Sequence, residues 1–170
     1  MNKLINFMKD STETVVYIVL GVVIALGINY GLGFLLNTQY PIVAVESNSM
    51  KSSNENESFE KGDILIIQGI PKENLTIGDV IVFSGSGPVP IVHRIVEINS
   101  DGTFQTKGDA NPGQLSFEKS IPYEKIHGKK ILKIPWLGWV KIGLIEIVLP
   151  NIHWVIVAIA ILIFIYFIRQ

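Results

Sequence analysis

An uncharged run from Val15 to Leu36, VVYIVLGVVIALGINYGLGFLL, constrains this chain more than any other feature. As a helix it reaches roughly 33 Å, about the thickness of a bilayer hydrocarbon core. A removable signal peptide is the rival reading. The run is too long for the apolar part of such a peptide, and no small-x-small site follows it. A second uncharged run, Ile152 to Ile168, lies at the short end of the spanning range, with His153, Trp154 and Tyr166 towards its ends. Lys3 and Lys9 precede the first run, no Lys or Arg then occurs until Lys51, and Arg169 follows the second run. Basic residues stay on the cytoplasmic side, which predicts cytoplasmic termini and an outside middle. The expected division is 1–14 cytoplasmic, 15–36 transmembrane, 37–135 an extracytoplasmic β domain, 136–151 an interfacial return and 152–168 transmembrane.

Composition narrows the function. Hydrophobic residues make up 48% of the chain and charged ones 17%, against about 25% charged in soluble domains. The formal net charge of -1 gives no field to attract polyanions, so a nucleic-acid partner is not expected. With no cysteine there is no disulfide framework, thiolate nucleophile or cysteine-ligated metal. The histidines have no ligand-like spacing, so no metal or other cofactor is expected.

Between the runs the chain reads as β. The segments 41–45, 63–68, 79–83, 91–98, 103–107 and 126–134 are rich in Val and Ile and bounded by Gly, Pro, Asn or Asp. Asn99-Ser-Asp-Gly102 is a tight-turn signal between two of them. No helix of ordinary length is predicted here, and Lys51 to Lys61 reads as a polar loop. Trp136 and Trp139 suit the interfacial belt.

Few polar residues stand out. Ser47 and Ser49 end the first strand, His93 interrupts an apolar strand, and Gly108-Asp109 follows another. Singly, each has a plain structural explanation as a cap, a satisfied strand histidine or a turn. In order, they read Ser49-Met50, then Gly62-Asp63 before a strand, Gly78-Asp79-Val-Ile-Val-Phe83, Ile91-Val-His-Arg-Ile-Val96 and Thr106-Lys-Gly-Asp-Ala-Asn111. That series resembles the type I signal peptidases, specifically their archaeal and endoplasmic-reticulum branch, from the first span to about Trp139. A histidine at the place of His93, where bacterial relatives carry lysine, marks that branch.

The resemblance implies a mostly β fold, a coiled sheet or partial barrel between two transmembrane helices. It also implies a serine endopeptidase that cleaves signal peptides after small-x-small sites. Ser49 is then the nucleophile and His93 the base. Asp109 orients the imidazole, with Glu118 as the alternative acid. The oxyanion falls to the Ser49 N–H and the Ser47 hydroxyl. Ile42, Val43 and Val45 are the expected substrate-binding wall. The implied partners are signal-peptide-bearing preproteins, the lipid bilayer and the Sec translocon. The chain departs from the family pattern at Ser52, where a proline is usual, and at Leu115, where many members carry a second aspartate. A non-catalytic tethered β module that scaffolds envelope proteins is the rival from another class. Asn56-Glu-Ser58 and Asn74-Leu-Thr76 are N-glycosylation patterns.

Overall fold

The structure is a computed structural model that describes residues 2–54, 58–143, 146, 149–151, 153, 154, 157 and 161. Most of the expected span at 152–168 therefore lies outside the described residues, as does Asn56.

The first element, α1, runs Asn2–Leu35. Its stretch Glu13–Leu35 has a mean hydropathy of 2.2 and is long and apolar enough to cross a membrane. The helix thus begins well before the expected boundary at Val15. No glycine or proline interrupts residues 2–14, so nothing stops the helix from continuing back beyond the apolar run. Hydropathy marks where lipid contact can begin, not where the helix does. At the other end Asn37 adopts a φ of 50° and terminates the helix, a conformation asparagine tolerates better than most residues.

Among the described residues six strands follow: β1 Ile42–Ala44, β2 Ile64–Gln68, β3 Val80–Phe83, β4 Ile91–Ile98, β5 Phe104–Lys107 and β6 Ile126–Ile134. They form one antiparallel sheet in the order β1-β2-β6-β3-β4-β5. The expected strands agree with these to within a residue or two at each end. Three short 3-10 turns, at Lys72–Asn74, Ser116–Lys119 and Tyr123–Lys125, punctuate the sheet. The Asn99 turn closes the β4–β5 hairpin, with the Gly102 N–H on the Asn99 carbonyl at 2.9 Å.

Strand β3 is buried along its whole length and divides the core in two. Because successive side chains point to opposite faces, Val80 and Val82 pack with Val45, Met50, Phe59, Leu65 and Ile67. Ile81 and Phe83 pack on the other side with Leu75, Ile95, Phe104 and Ile121. The register pairs His93 with Ile81, which puts His93 on this second face.

Helix and sheet are joined by backbone. The Gly69 N–H meets the Leu36 carbonyl at 2.8 Å, and the Thr38 hydroxyl donates to the His127 carbonyl at 2.7 Å. After β6, the short helix α2, Gly138–Ile142, packs back on the domain. The Gly138 N–H donates to the Gly62 carbonyl at 2.8 Å, and Ile142 is buried. The Trp139 ring lies so close to Gly62 that a Cβ there would stand 2.0 Å from its Nε1, so this contact requires glycine. The expected interfacial return thus begins as a segment fastened to the sheet.

Candidate active site

Ser49 lies beyond the end of β1, where the chain leaves the sheet and Met50 plugs the first core cluster. Burying Met50 fixes the backbone next to Ser49 and leaves the hydroxyl facing the groove that Ser49 lines. His93 comes from β4 and is 4% exposed. Its Nε2 stands 3.1 Å from the Ser49 Oγ, within hydrogen-bond reach for a nucleophile and its base. The Ser47 hydroxyl lies 3.2 Å from the Ser49 Oγ, on the same side of the groove.

The other face of the imidazole meets a carboxylate, and it is Glu118. The His93 Nδ1 and the Glu118 Oε1 are hydrogen-bonded inside the protein. Glu118 is fully buried, in the 3-10 turn Ser116–Lys119. Its two oxygens have separate partners. Oε1 also accepts from the Thr106 hydroxyl at 3.1 Å, and Oε2 accepts from the Leu115 backbone N–H at 2.7 Å. A carboxylate this buried is costly unless its lone pairs are occupied, and these donors occupy them.

Asp109, expected on the imidazole, is elsewhere. Arg94 follows His93 in β4, so its side chain projects from the opposite face, and it draws Asp109 there. The Arg94 Nε reaches Asp109 Oδ1 at 3.0 Å and its Nη2 reaches Oδ2 at 2.7 Å, a bidentate pair. The Arg94 Nη1 also donates to the Gly78 carbonyl at 2.8 Å. The expectation of an Asp109–His93 contact is therefore corrected: the Nδ1 side of His93 belongs to Glu118, and Asp109 is bound to Arg94. What Gly108-Asp109 does near the site is hold a turn. The Ala110 N–H donates to the Ser49 carbonyl at 2.9 Å. A Cβ at Gly108 would stand 2.7 Å from that carbonyl and 2.8 Å from His93 Nε2, so only glycine lets the turn approach the pair.

Ser49 and His93 open into a cavity of about 430 Å³. One wall is β1, where Ile42, Val43 and Val45 line the groove; the other includes Ile91 and Val92 of β4. These strands are not neighbours in the sheet, so the sheet curls to bring both to one groove. Leu115 and Asn111 complete the rim, and Glu46 and Lys141, 3.7 Å apart, also line the groove. A mostly apolar cleft with a few convergent polar groups is the usual form of a binding site. Among the described residues no cluster of His, Cys, Asp or Glu could hold a metal ion.

Sequence reasoning held Glu118 only as the alternative acid and gave Thr106 and Leu115 no part in the site. A signal for Glu118 was present in Leu115-Ser-Phe-Glu118, since a glutamate three residues into a short turn reaches back towards its first residue.

This geometry has curated counterparts. The chain is 34% identical over 128 residues to the signal peptidase complex catalytic subunit SEC11 of Lachancea thermotolerans, covering 68% of this chain and 73% of the relative. The SEC11 subunit of Saccharomyces cerevisiae is 34% identical over 127 residues, covering 68% and 72%. The chain belongs to the family of signal peptidase catalytic subunits. A third relative, SEC11 of Komagataella phaffii, is 41% identical over 91 residues, which span half of that protein and 48% of this chain. No family model matches the chain. Membership fits a mostly antiparallel sheet with an apolar helix at its N-terminal side and a Ser-His pair facing a groove.

Proposed function

We propose that this chain is a membrane-tethered serine endopeptidase that removes signal peptides from secretory precursors. The observation that carries the reading is the unbroken line Glu118–His93–Ser49 ending in an apolar groove. A serine hydroxyl is a weak nucleophile until a base takes its proton. His93 Nε2 takes the proton of the Ser49 hydroxyl as its Oγ attacks the scissile carbonyl. Glu118, acting from Nδ1, holds the tautomer whose Nε2 can accept and stabilises the imidazolium that forms. The tetrahedral oxyanion is held by the Ser49 N–H and the Ser47 hydroxyl. His93 then protonates the leaving amine, and water attacks the acyl-enzyme with the same histidine as base.

The groove supports the substrate class. In β1 the residues that bond β2 are 41, 43 and 45, as the Ile67 N–H to Pro41 carbonyl and Val45 N–H to Asp63 carbonyl bonds show. The backbone groups of Ile42 and Ala44 therefore point to the free edge of the sheet, where an extended peptide can add as a strand. Ile42, Val43 and Val45 then offer the apolar wall that reads small side chains. Helix α1 joins the sheet directly, which keeps Ser49 near the membrane, where precursors are cut. The orientation follows the basic residues, with both termini cytoplasmic, the β domain outside, a return over 136–151 and a second anchor at 152–168. Preproteins delivered through the Sec translocon are the substrates, and the small-x-small rule is their cleavage site.

The deciding experiment is cleavage of a purified preprotein by the detergent-solubilised chain and by its Ser49→Ala variant. Cleavage at one small-x-small site, lost in Ser49→Ala, is expected. No cleavage by the unaltered chain assigns it to the non-catalytic tethered module.

A further inference from the structure

Leu115 is an apolar side chain, 48% exposed, on a hydrogen-bonded backbone at the rim of the groove. Its N–H is tied to the Glu118 carboxylate at 2.7 Å, and its carbonyl accepts the Glu118 N–H at 3.0 Å. The preceding residue is tied as well, because the Gln114 side chain donates to the Thr106 carbonyl and to the Gln105 side chain, each at 3.1 Å. Further back on the same side, the turn at Gly108–Asn111 is pinned to Ser49 through Ala110. A leucine on a mobile loop would swing away from a bulky ligand. Here the bonds that fix Leu115 are the same ones that position the acid, so moving it would disturb the Glu118–His93 contact.

We infer that Leu115 is a size-limiting wall of the groove, one that excludes branched and aromatic side chains from the substrate position beside the Ser49–His93 pair. The inference rests on the protease reading and deepens it, because it assigns part of the preference for small residues to one side chain. Leu115 is linked to the acid by its backbone alone, so its side chain can be changed while the N–H to Glu118 remains.

The test is a panel of preprotein substrates with Ala, Val, Leu or Phe at each position from -3 to +1, cleaved by the unaltered chain, Leu115→Ala and Leu115→Phe. The rate of each enzyme on the all-alanine substrate is the reference for its own profile. At one position Leu115→Ala should raise the relative kcat/KM for Val and Leu by about tenfold or more, the usual worth of a methylene or two in an apolar pocket. Leu115→Phe should sharpen the preference at the same position. A Leu115→Ala profile equal to the unaltered one at every position overturns the inference while leaving the protease reading intact. Should Leu115→Ala fold poorly, Leu115→Val retains a smaller apolar side chain, and its profile must shift the same way or the inference falls. If the unaltered chain cleaves nothing, the protease reading fails first and the inference goes with it.

Discussion

The buried carboxylate of Glu118 grips His93 at Nδ1 while Asp109, nine positions earlier in sequence, is clamped by Arg94. The neighbours in β4, His93 and Arg94, point to opposite faces and so recruit different acids. Glu118→Gln is expected to lower kcat by roughly 10³- to 10⁴-fold with little change in KM, because the carboxylate matters most when the imidazole becomes charged. Asp109→Asn should stay within about tenfold of the unaltered kcat by the same reasoning. Rates normalised by active-site titration check both, and the reverse ranking would return the acid's role to Asp109.

Replacing Ser49 or His93 by alanine should abolish cleavage. Ser47→Ala should instead cost about 3 kcal/mol in the barrier, on the order of a hundredfold in kcat, the usual loss for one oxyanion donor. Single-turnover kinetics separate that loss from weaker binding. A Ser47→Ala enzyme with normal kcat would confine the hydroxyl to its contact with Ser49.

The Arg94–Asp109 pair is mostly buried, with side-chain exposures of 19% and 17%. Arg94→Ala leaves a carboxylate without its bidentate partner and should destabilise the domain by roughly 2 kcal/mol. The double variant Arg94→Met/Asp109→Leu should recover much of that loss, since removing both charges removes the desolvation penalty. Thermal unfolding in detergent reads both. Equal destabilisation by the single and double variants would show that the pair is not energetically coupled.

Burial lowers the pKa of His127, whose ring lies 4.5 Å from that of Tyr40 and 2.8 Å from the Ser84 hydroxyl. The unfolded chain then binds the proton at a higher pH than the folded one. Stability is unaffected well above the unfolded value of about 6.5 and declines as pH falls through and below it. His127→Gln should flatten the decline between about pH 6.5 and 5. An unchanged slope would place the acid sensitivity on other groups.

Asn74 is exposed in a short turn of the β domain. A cysteine placed there should react with a membrane-impermeant reagent in intact cells, the chain having no cysteine of its own. Labelling only after lysis would reverse the proposed orientation.

How much of this could be read from the sequence is clearest in single residues. The strand at 79–83 was legible because Val-Ile-Val-Phe is a run that suits a strand buried on both faces, and it became the buried centre of the sheet. The Asn99 turn was legible because Gly102, with its φ of 79°, meets a backbone demand locally. The start of α1 was not, because hydropathy reports lipid compatibility and carries no helix-start signal.

The sequence by itself determined the apolar run of α1 and the six strands, and its resemblance to a known family pointed to Ser49 and His93. Periodicity, turn chemistry and motif order are properties of short stretches, and these features depend on little else. The tertiary structure alone decided which acid contacts His93 and that Asn111 and Leu115 join the groove. Both depend on how strands distant in sequence curl together. Asp109 is nearer along the chain, but the alternation of β4 turns Arg94 towards it. The turn carrying Glu118 folds back under Thr106, where burial and three donors hold the carboxylate against the ring.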